Sequence, residues 1–260
     1  MKEQMLLAAK THVGLVRPNN QDSFVVRTDV APACLVVIAD GMGGAQAGEV
    51  ASRLAADTVS EYVAEAYRQA GTGVEPEKVL RDAVQAANHR IWEASRHSAE
   101  YVGMGTTLVA AFIHGGSVCL AHVGDSRAYV LHKGELAQVT DDHSLVAELV
   151  RRGQLTEEEA QHHPQRHIVT RSLGTAEFTD PDVSVRPFDE GDVLLLCTDG
   201  LSNLVQPSEL KERLEPLQDA KVQADVEQAA EELIGLALAR GGSDNVTVAL
   251  LVRREERETA

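Results

Sequence analysis

Aromatic side chains are scarce in this chain: four Phe, four Tyr and one Trp make up 3% of 260 residues. A core with so few rings must rest on Ala, Val and Leu. Cysteine is scarce too, with only Cys34, Cys119 and Cys197, each inside an apolar run. An odd number of thiols among Val, Leu and Ala argues for reduced core residues and a cytoplasmic compartment rather than a disulfide framework. No apolar run approaches the ~18 residues of a membrane helix. The apolar stretch after Met1-Lys2-Glu3-Gln4-Met5 is too short for a signal peptide. Basic residues are in deficit, 24 against 40 acidic, for a formal charge of −16. Such a field disfavours nucleic acid and anionic membranes, whose affinity comes from basic patches. It fits cation binding, basic partners or plain solubility. Two phosphate-handling strings are missing: no Gly-x4-Gly-Lys-Ser/Thr, and no cysteine followed at short spacing by an arginine. A nucleotide-binding P-loop and a thiol phosphatase are therefore unsupported.

The length is enough to bury roughly three quarters of the unfolded surface. No repeat, low-complexity linker or composition shift divides the chain, so one domain over 1–252 is expected, with 253–260 as a polar tail. An apolar strand over 35–39 stops at Asp40-Gly41. Helical spacing follows over 49–68 (Val50, Leu54, Val59, Val63). After a Gly71-Thr72-Gly73 break, a second helix starts near Pro76 and carries Leu80, Val84, Ala87 and Ile91. Segments 106–113, 117–123 and 128–132 read as strands joined by hairpin turns at Gly115-Gly116 and Lys133-Gly134. Residues 142–168 are polar, with a capping box at Thr156 and Glu159. Strands over 182–187 and 192–197, a helix over 222–239 and a strand over 246–252 complete the pattern. Hairpin-connected strands with grouped helices predict an α+β fold with antiparallel sheets.

Aspartates recur at the ends of these runs. Asp40-Gly41, Gly124-Asp125-Ser126 and Asp199-Gly200 follow strands, and Asp244-Asn245 precedes one. Each alone reads as a turn. Converging in one cleft, the carboxylates would repel one another unless cations neutralised them, and hard oxygen donors suit Mg²⁺ or Mn²⁺. Spacing alone does not establish convergence.

Ordered motifs add to this. They are 11–22 (Thr-His-Val-Gly-Leu-Val-Arg-Pro-Asn-Asn-Gln-Asp), Ala39-Asp40-Gly41-Met42-Gly43-Gly44, Gly103-Met104-Gly105-Thr106-Thr107 and Val123-Gly124-Asp125-Ser126-Arg127-Ala128-Tyr129. Asp142-His143-Ser144, Arg171-Ser172-Leu173-Gly174, Thr198-Asp199-Gly200-Leu201 and Ser243-Asp244-Asn245-Val246-Thr247 follow. Together they span nearly the whole chain, which resembles the metal-dependent protein phosphatases of type 2C in their compact bacterial form. The resemblance implies a four-layer α-β-β-α sandwich of two antiparallel sheets flanked by helix pairs, holding two or three Mn²⁺ or Mg²⁺ ions. It implies that Asp40 bridges the first two ions and that the Gly41 carbonyl binds the second. Asp199 and Asp244 would hold the first, and Asp125 with Asp199 a third. Arg17 would grip the substrate phosphate, Asp22 and Asn245 would order metal-bound waters, and 145–170 would be a flap beside the site. The implied activity is hydrolysis of phosphoserine and phosphothreonine in proteins, by in-line attack of a metal-bridging hydroxide and without a phosphoenzyme. The implied setting is the cytoplasm, as a monomer opposing a serine/threonine kinase.

Two departures stand out. Gln21 occupies a position where many members have Glu, so any water contact there is made by an amide. Met42 stands where some eukaryotic members have a histidine proposed as a general acid. Among rival readings, Gly124-Asp125-Ser126-Arg127-Ala128 approximates the serine-hydrolase elbow, but a strand rather than a helix follows it. His162, His163 and His167 lack zinc-ligand spacing and read as a solvated flap. A pseudophosphatase would have lost a metal aspartate, and all four are present. A phosphatase of small molecules or of a nucleotide second messenger stays open.

Overall fold

Alternation along the strands sorts the apolar side chains into three cores. The computed structural model describes residues 3–29, 33–44 and 46–255. The chain runs through β1 (Glu3–His12), β2 (Asp22–Arg27), β3 (Cys34–Met42), α1 (Ala47–Ala70) and α2 (Pro76–His97). Strands β4 (Gly105–Thr106), β5 (Leu108–His114), β6 (Ser117–Val123), β7 (Arg127–His132) and β8 (Glu135–Gln138) come next. Helices α3 (Leu145–Arg151) and α4 (Glu157–Gln161) precede β9 (Asp182–Pro187) and β10 (Val193–Cys197). The short α5 (Asp199–Ser202), α6 (Pro207–Leu214) and α7 (Gln223–Ala239) lead to β11 (Val246–Glu255).

One sheet has the order β1-β11-β10-β7-β8 and the other β2-β3-β5-β6-β9, with β4 on β3. The pairings are antiparallel. In β3, Leu35, Val37 and Ala39 pack against α1 and α2, while Cys34, Val36 and Ile38 face the other sheet. In β10, Val193, Leu195 and Cys197 face α6 and α7, while Leu194 and Leu196 meet Val36 and Ile38 in the core between the sheets. Both faces are therefore buried, which is why these strands read as continuous apolar runs. The result is the helix–sheet–sheet–helix layering that the resemblance implied. The three cysteines are free and buried, one in each core, too dispersed to pair.

The hairpins turn where glycine permits: Gly115 and Gly116 take φ of 58° and 78°, and Lys133 and Gly134 take 49° and 79°, as twist-matched two-residue turns require. Pro76 opens α2, and the capping box at Thr156 and Glu159 is formed. Several expectations needed correction. β3 does not stop at Asp40, because Gly41 and Met42 find new partners in Thr106 and Gly105 of β4. Asp199 opens α5 rather than a turn. The polar stretch 142–168 contains α3, whose Leu145, Val146, Leu149 and Val150 are partly buried. β1 and β2, which the sequence did not reveal as strands, are present, and β1 pairs with β11 over its whole length. That pairing carries β11 through Arg253 and Arg254 to Glu255, into the expected tail; residues 256–260 lie outside the described residues.

Candidate metal centre and active-site cleft

Antiparallel geometry gathers the aspartates at one end of the sandwich. Asp40 lies near the end of β3 and pairs across the strands with Asp22 at the start of β2. Asp125 sits in the β6–β7 turn, Asp199 follows β10, and Asp244 precedes β11 beside it. They line a cleft of about 700 Å³ with Arg17, Gln21, Gly41, Met42, Thr107, Arg166, His167 and Asn245 among its walls. Every sequence-predicted site residue reaches this cleft except Asp22, which is buried behind Asp40.

The supports are specific. Thr106 Oγ1 donates to the Asp40 carbonyl at 2.8 Å, and the Asp40 N–H donates to Thr107 Oγ1 at 3.1 Å. Thr107 Oγ1 in turn lies 2.7 Å from Ser126 Oγ. Asp22 Oδ2 accepts from Thr247 Oγ1 at 2.6 Å and Thr198 Oγ1 at 3.0 Å. Asn245 ties down the loop carrying Arg17: its Oδ1 accepts from the Gln21 N–H at 2.7 Å, and its Nδ2 donates to the carbonyls of Val13 and Asn19 at 2.8 and 2.9 Å. Its amide is thus committed to the loop, where the resemblance implied water ordering. Gln21 Nε2 donates to the Gly44 carbonyl at 3.3 Å. Arg17 Nη2 donates to Asp244 Oδ2 at 2.8 Å, and the guanidinium is half exposed at the cleft mouth. That bond and the charges of Asp199 and Asp40 raise its pKa further.

The electrostatics follow from this convergence. Burial raises Asp40 well above the carboxylate range, and Asp22, Asp199, Asp125 and Asp244 push it further. Asp125 is pushed up to about 7 by burial, with Asp199 and Asp142 adding. Asp22 also reaches about 7, burial outweighing its two hydroxyl hydrogen bonds. Asp199 is raised by burial and by Asp244. Asp22 Oδ1 and Asp199 Oδ1 are buried without a hydrogen-bond partner. Crowded carboxylates with orphaned oxygens and an all-oxygen donor set fit hard divalent cations. Glycine closes the cradle: a Cβ on Gly200 would lie 1.9 Å from the Asn245 carbonyl oxygen, so only glycine lets the residue after Asp199 pass this close to the main chain after Asp244.

Arg166 and His167 line the cleft although the sequence marked them only as flap. No spacing signals them, since they arrive through the fold of the 142–171 segment. Another cluster brings ligand atoms of His122, His143 and Asp182 within 4.8 Å of one another. Arg171 Nη1 lies 2.8 Å from His143 Nε2 and 2.9 Å from Asp182 Oδ1, so a guanidinium already stands where a cation would.

The profile of the protein phosphatase 2C family matches residues 15–235. The chain is 40% identical over 246 residues to the serine/threonine phosphatase stp of Listeria monocytogenes, covering 95% of this chain and 94% of that one. The crystal structure of the Mycobacterium tuberculosis serine/threonine phosphatase PstP/Ppp superposes with a TM-score of 0.85 at 39% identity, over 96% of this chain and 99% of that one. The PstP catalytic domain in complex with two manganese ions gives 0.83 at 37% identity, over 97% and 100%. Fold, ordered motifs and carboxylate cleft agree with these likenesses: the chain belongs to the protein phosphatase 2C family.

Proposed function

We propose that this chain is a Mn²⁺- or Mg²⁺-dependent phosphatase that hydrolyses phosphoserine and phosphothreonine in proteins, opposing a serine/threonine kinase in the cytoplasm as a monomer. The observation that carries the reading is the convergence of Asp40, Asp125, Asp199 and Asp244 on one cleft beside Arg17. Relatives named as serine/threonine phosphatases over nearly the full chain support it. So does a manganese-bound neighbour. Three buried free thiols suit a reducing compartment, and no helix among the described residues is long and apolar enough to cross a membrane. The phosphatase domain, expected over 1–252, is taken to run on to the end of β11 at Glu255.

When bound, two or three cations supply a water acidified to a nucleophile and positive charge facing the phosphoryl oxygens. Asp40, Asp199, Asp244 and the Gly41 carbonyl would be the donors for two of them, and Asp125 with Asp199 for a third. Arg17 presents a planar fork matched to phosphate oxygens, from the mouth where a phosphorylated side chain enters. The unpartnered Oδ1 of Asp22, buried behind Asp40, supports reading that carboxylate as a group that orders water. Met42 lines the cleft without a proton to give, so the leaving alkoxide takes its proton from elsewhere. The Thr107 hydroxyl is held between Ser126 and the Asp40 N–H, which keeps it from acting as a nucleophile.

The test is hydrolysis of a phosphothreonine peptide with Mn²⁺, with EDTA, and in Asp40→Asn and Asp199→Asn. Activity is expected only in the wild type with metal. Full activity in EDTA or in either variant would end the metal reading, and an inactive wild type would favour a binding module.

A further inference from the structure

A second pocket, about 390 Å³, opens beside the flap and is lined by His143, Glu148, Arg151, Arg152, Thr170 and Arg171. Three guanidinium groups converging on one cavity are out of keeping with a chain of net charge −16. Arg151 and Arg152 end α3, where cations suit the helix terminus. Arg171 comes from the far side of the flap, so helix electrostatics does not account for the convergence. Arg171 is fixed by Asp182 at 2.9 Å and by the Asp180 carbonyl, and lines the pocket. Arg151 spends one N–H on the Asp142 carbonyl at 3.3 Å, and Arg152 is 3.5 Å from Glu148; both are exposed, with donors to spare.

The two pockets share a wall. The Leu145 N–H donates to the Ile168 carbonyl and the Thr170 N–H to the His143 carbonyl, with Ser144 bridged to Val169. Along this extended segment Val169 lines the metal cleft and Thr170 the arginine pocket. Consecutive side chains of an extended segment point to opposite faces, so the two pockets lie on either side of this one stretch of chain.

We propose that the arginine pocket is an anion subsite for the substrate chain. It receives a phosphoryl or carboxylate group carried a few residues from the phosphoserine or phosphothreonine being cut. This rests on the phosphatase reading above. The shared chemistry is an oxyanion matched by guanidinium forks. Binding there raises kcat/KM through KM, because the anion is held equally in ground and transition states.

The experiment compares peptides with one phosphothreonine in neutral flanks against peptides carrying Glu, or a non-hydrolysable phosphonate, two to four residues to either side. Arg151→Gln/Arg152→Gln is the variant and p-nitrophenyl phosphate the small-substrate control. In the wild type, kcat/KM should rise about tenfold at a preferred spacing, and the gain should shrink as salt is added. The double variant should lose the gain while cutting the neutral peptide and p-nitrophenyl phosphate at wild-type rates. A gain with both anions assigns the subsite to acidic residues generally; a gain with phosphonate alone assigns it to a second phosphoryl group. Rates within about twofold for all peptides, or a gain that survives in the variant, would overturn the subsite and leave the phosphatase reading intact. No turnover of any substrate would overturn both.

Discussion

Replacing Gly41 with alanine tests whether the cleft depends on backbone contact that no side chain can relax. A Cβ at Gly41 would lie 2.0 Å from the Gly48 carbonyl oxygen and 2.7 Å from that of Gln21. Both obstacles are main chain: Gly48 lies in the first turn of α1, and Gln21 sits beside the start of β2. Relief requires β3 and α1 to separate by about 1 Å across a buried layer, and overpacking of that kind costs about 3 kcal/mol. The same movement strains the hydrogen bond from the Gly41 N–H to the Gln21 carbonyl, 3.1 Å long, worth about 1 kcal/mol net. A loss of about 3–4 kcal/mol should lower Tm by about 10 °C. Gly44→Ala is the control in the same loop, since its Cβ would meet nothing within 4 Å. Urea and thermal unfolding should be recorded in EDTA, so that metal binding does not contribute, and the Mn²⁺ concentration for half activation measured separately. Gly41→Ala should also raise that concentration, because the displaced carbonyl is a proposed ligand. If Gly41→Ala matched Gly44→Ala within about 0.5 kcal/mol and kept wild-type Mn²⁺ activation, the close-approach reasoning would be wrong.

Two further outcomes follow from the same cleft. Asp22 and Asp125 are both pushed up to about 7, whereas an unfolded Asp titrates near 4. Between these values the metal-free folded chain holds protons that the unfolded chain releases. The stability this confers is present below pH ~4 and lost as pH rises through 7. Urea midpoints in EDTA should therefore fall from pH 5 to pH 8, and saturating Mn²⁺ at pH 8 should restore them; a flat or rising EDTA profile would contradict the carboxylate crowding. Asp125→Ala should lower turnover about tenfold or more while metal analysis still finds two ions per chain, and loss of all metal would contradict its assignment to a third site.

Much of the fold was readable because burial on two faces writes long Val/Leu/Ile runs into β3, β5, β6 and β10, and because Gly115-Gly116 and Lys133-Gly134 mark their hairpins. β1 and β2 were not. β1 is an edge strand whose outer side meets Gln223 of α7 at Leu7, and its pattern is diluted by Lys10 and Thr11. β2 is an edge strand with mostly half-buried residues. Helix α3 was lost among polar neighbours because it packs only partly. The candidate site divides in the same way. Asp40, Asp125, Asp199 and Asp244 stand out as carboxylates beside Gly, Ser or Asn at strand ends, and the ordered motifs named Arg17, Gly41, Asp22 and Asn245. Arg166 and His167 gave no signal, since nothing local distinguishes them from flap surface.

By itself the sequence determined the chemistry available: oxygen donors rather than thiols, a guanidinium near the first motif, no proton donor at Met42, and strands whose ends carry the aspartates. Only the tertiary structure decided that those carboxylates meet. Their convergence depends on antiparallel register, which sets Asp22 opposite Asp40 and the end of β10 beside the start of β11, and on the sheets packing with those ends together. Register and packing are long-range, so the raised pKa of each aspartate is a property of the assembled cleft. The arginine pocket across the flap is likewise a product of the fold, built from α3 and from a segment that returns to it through the Ser144–Val169 bridge.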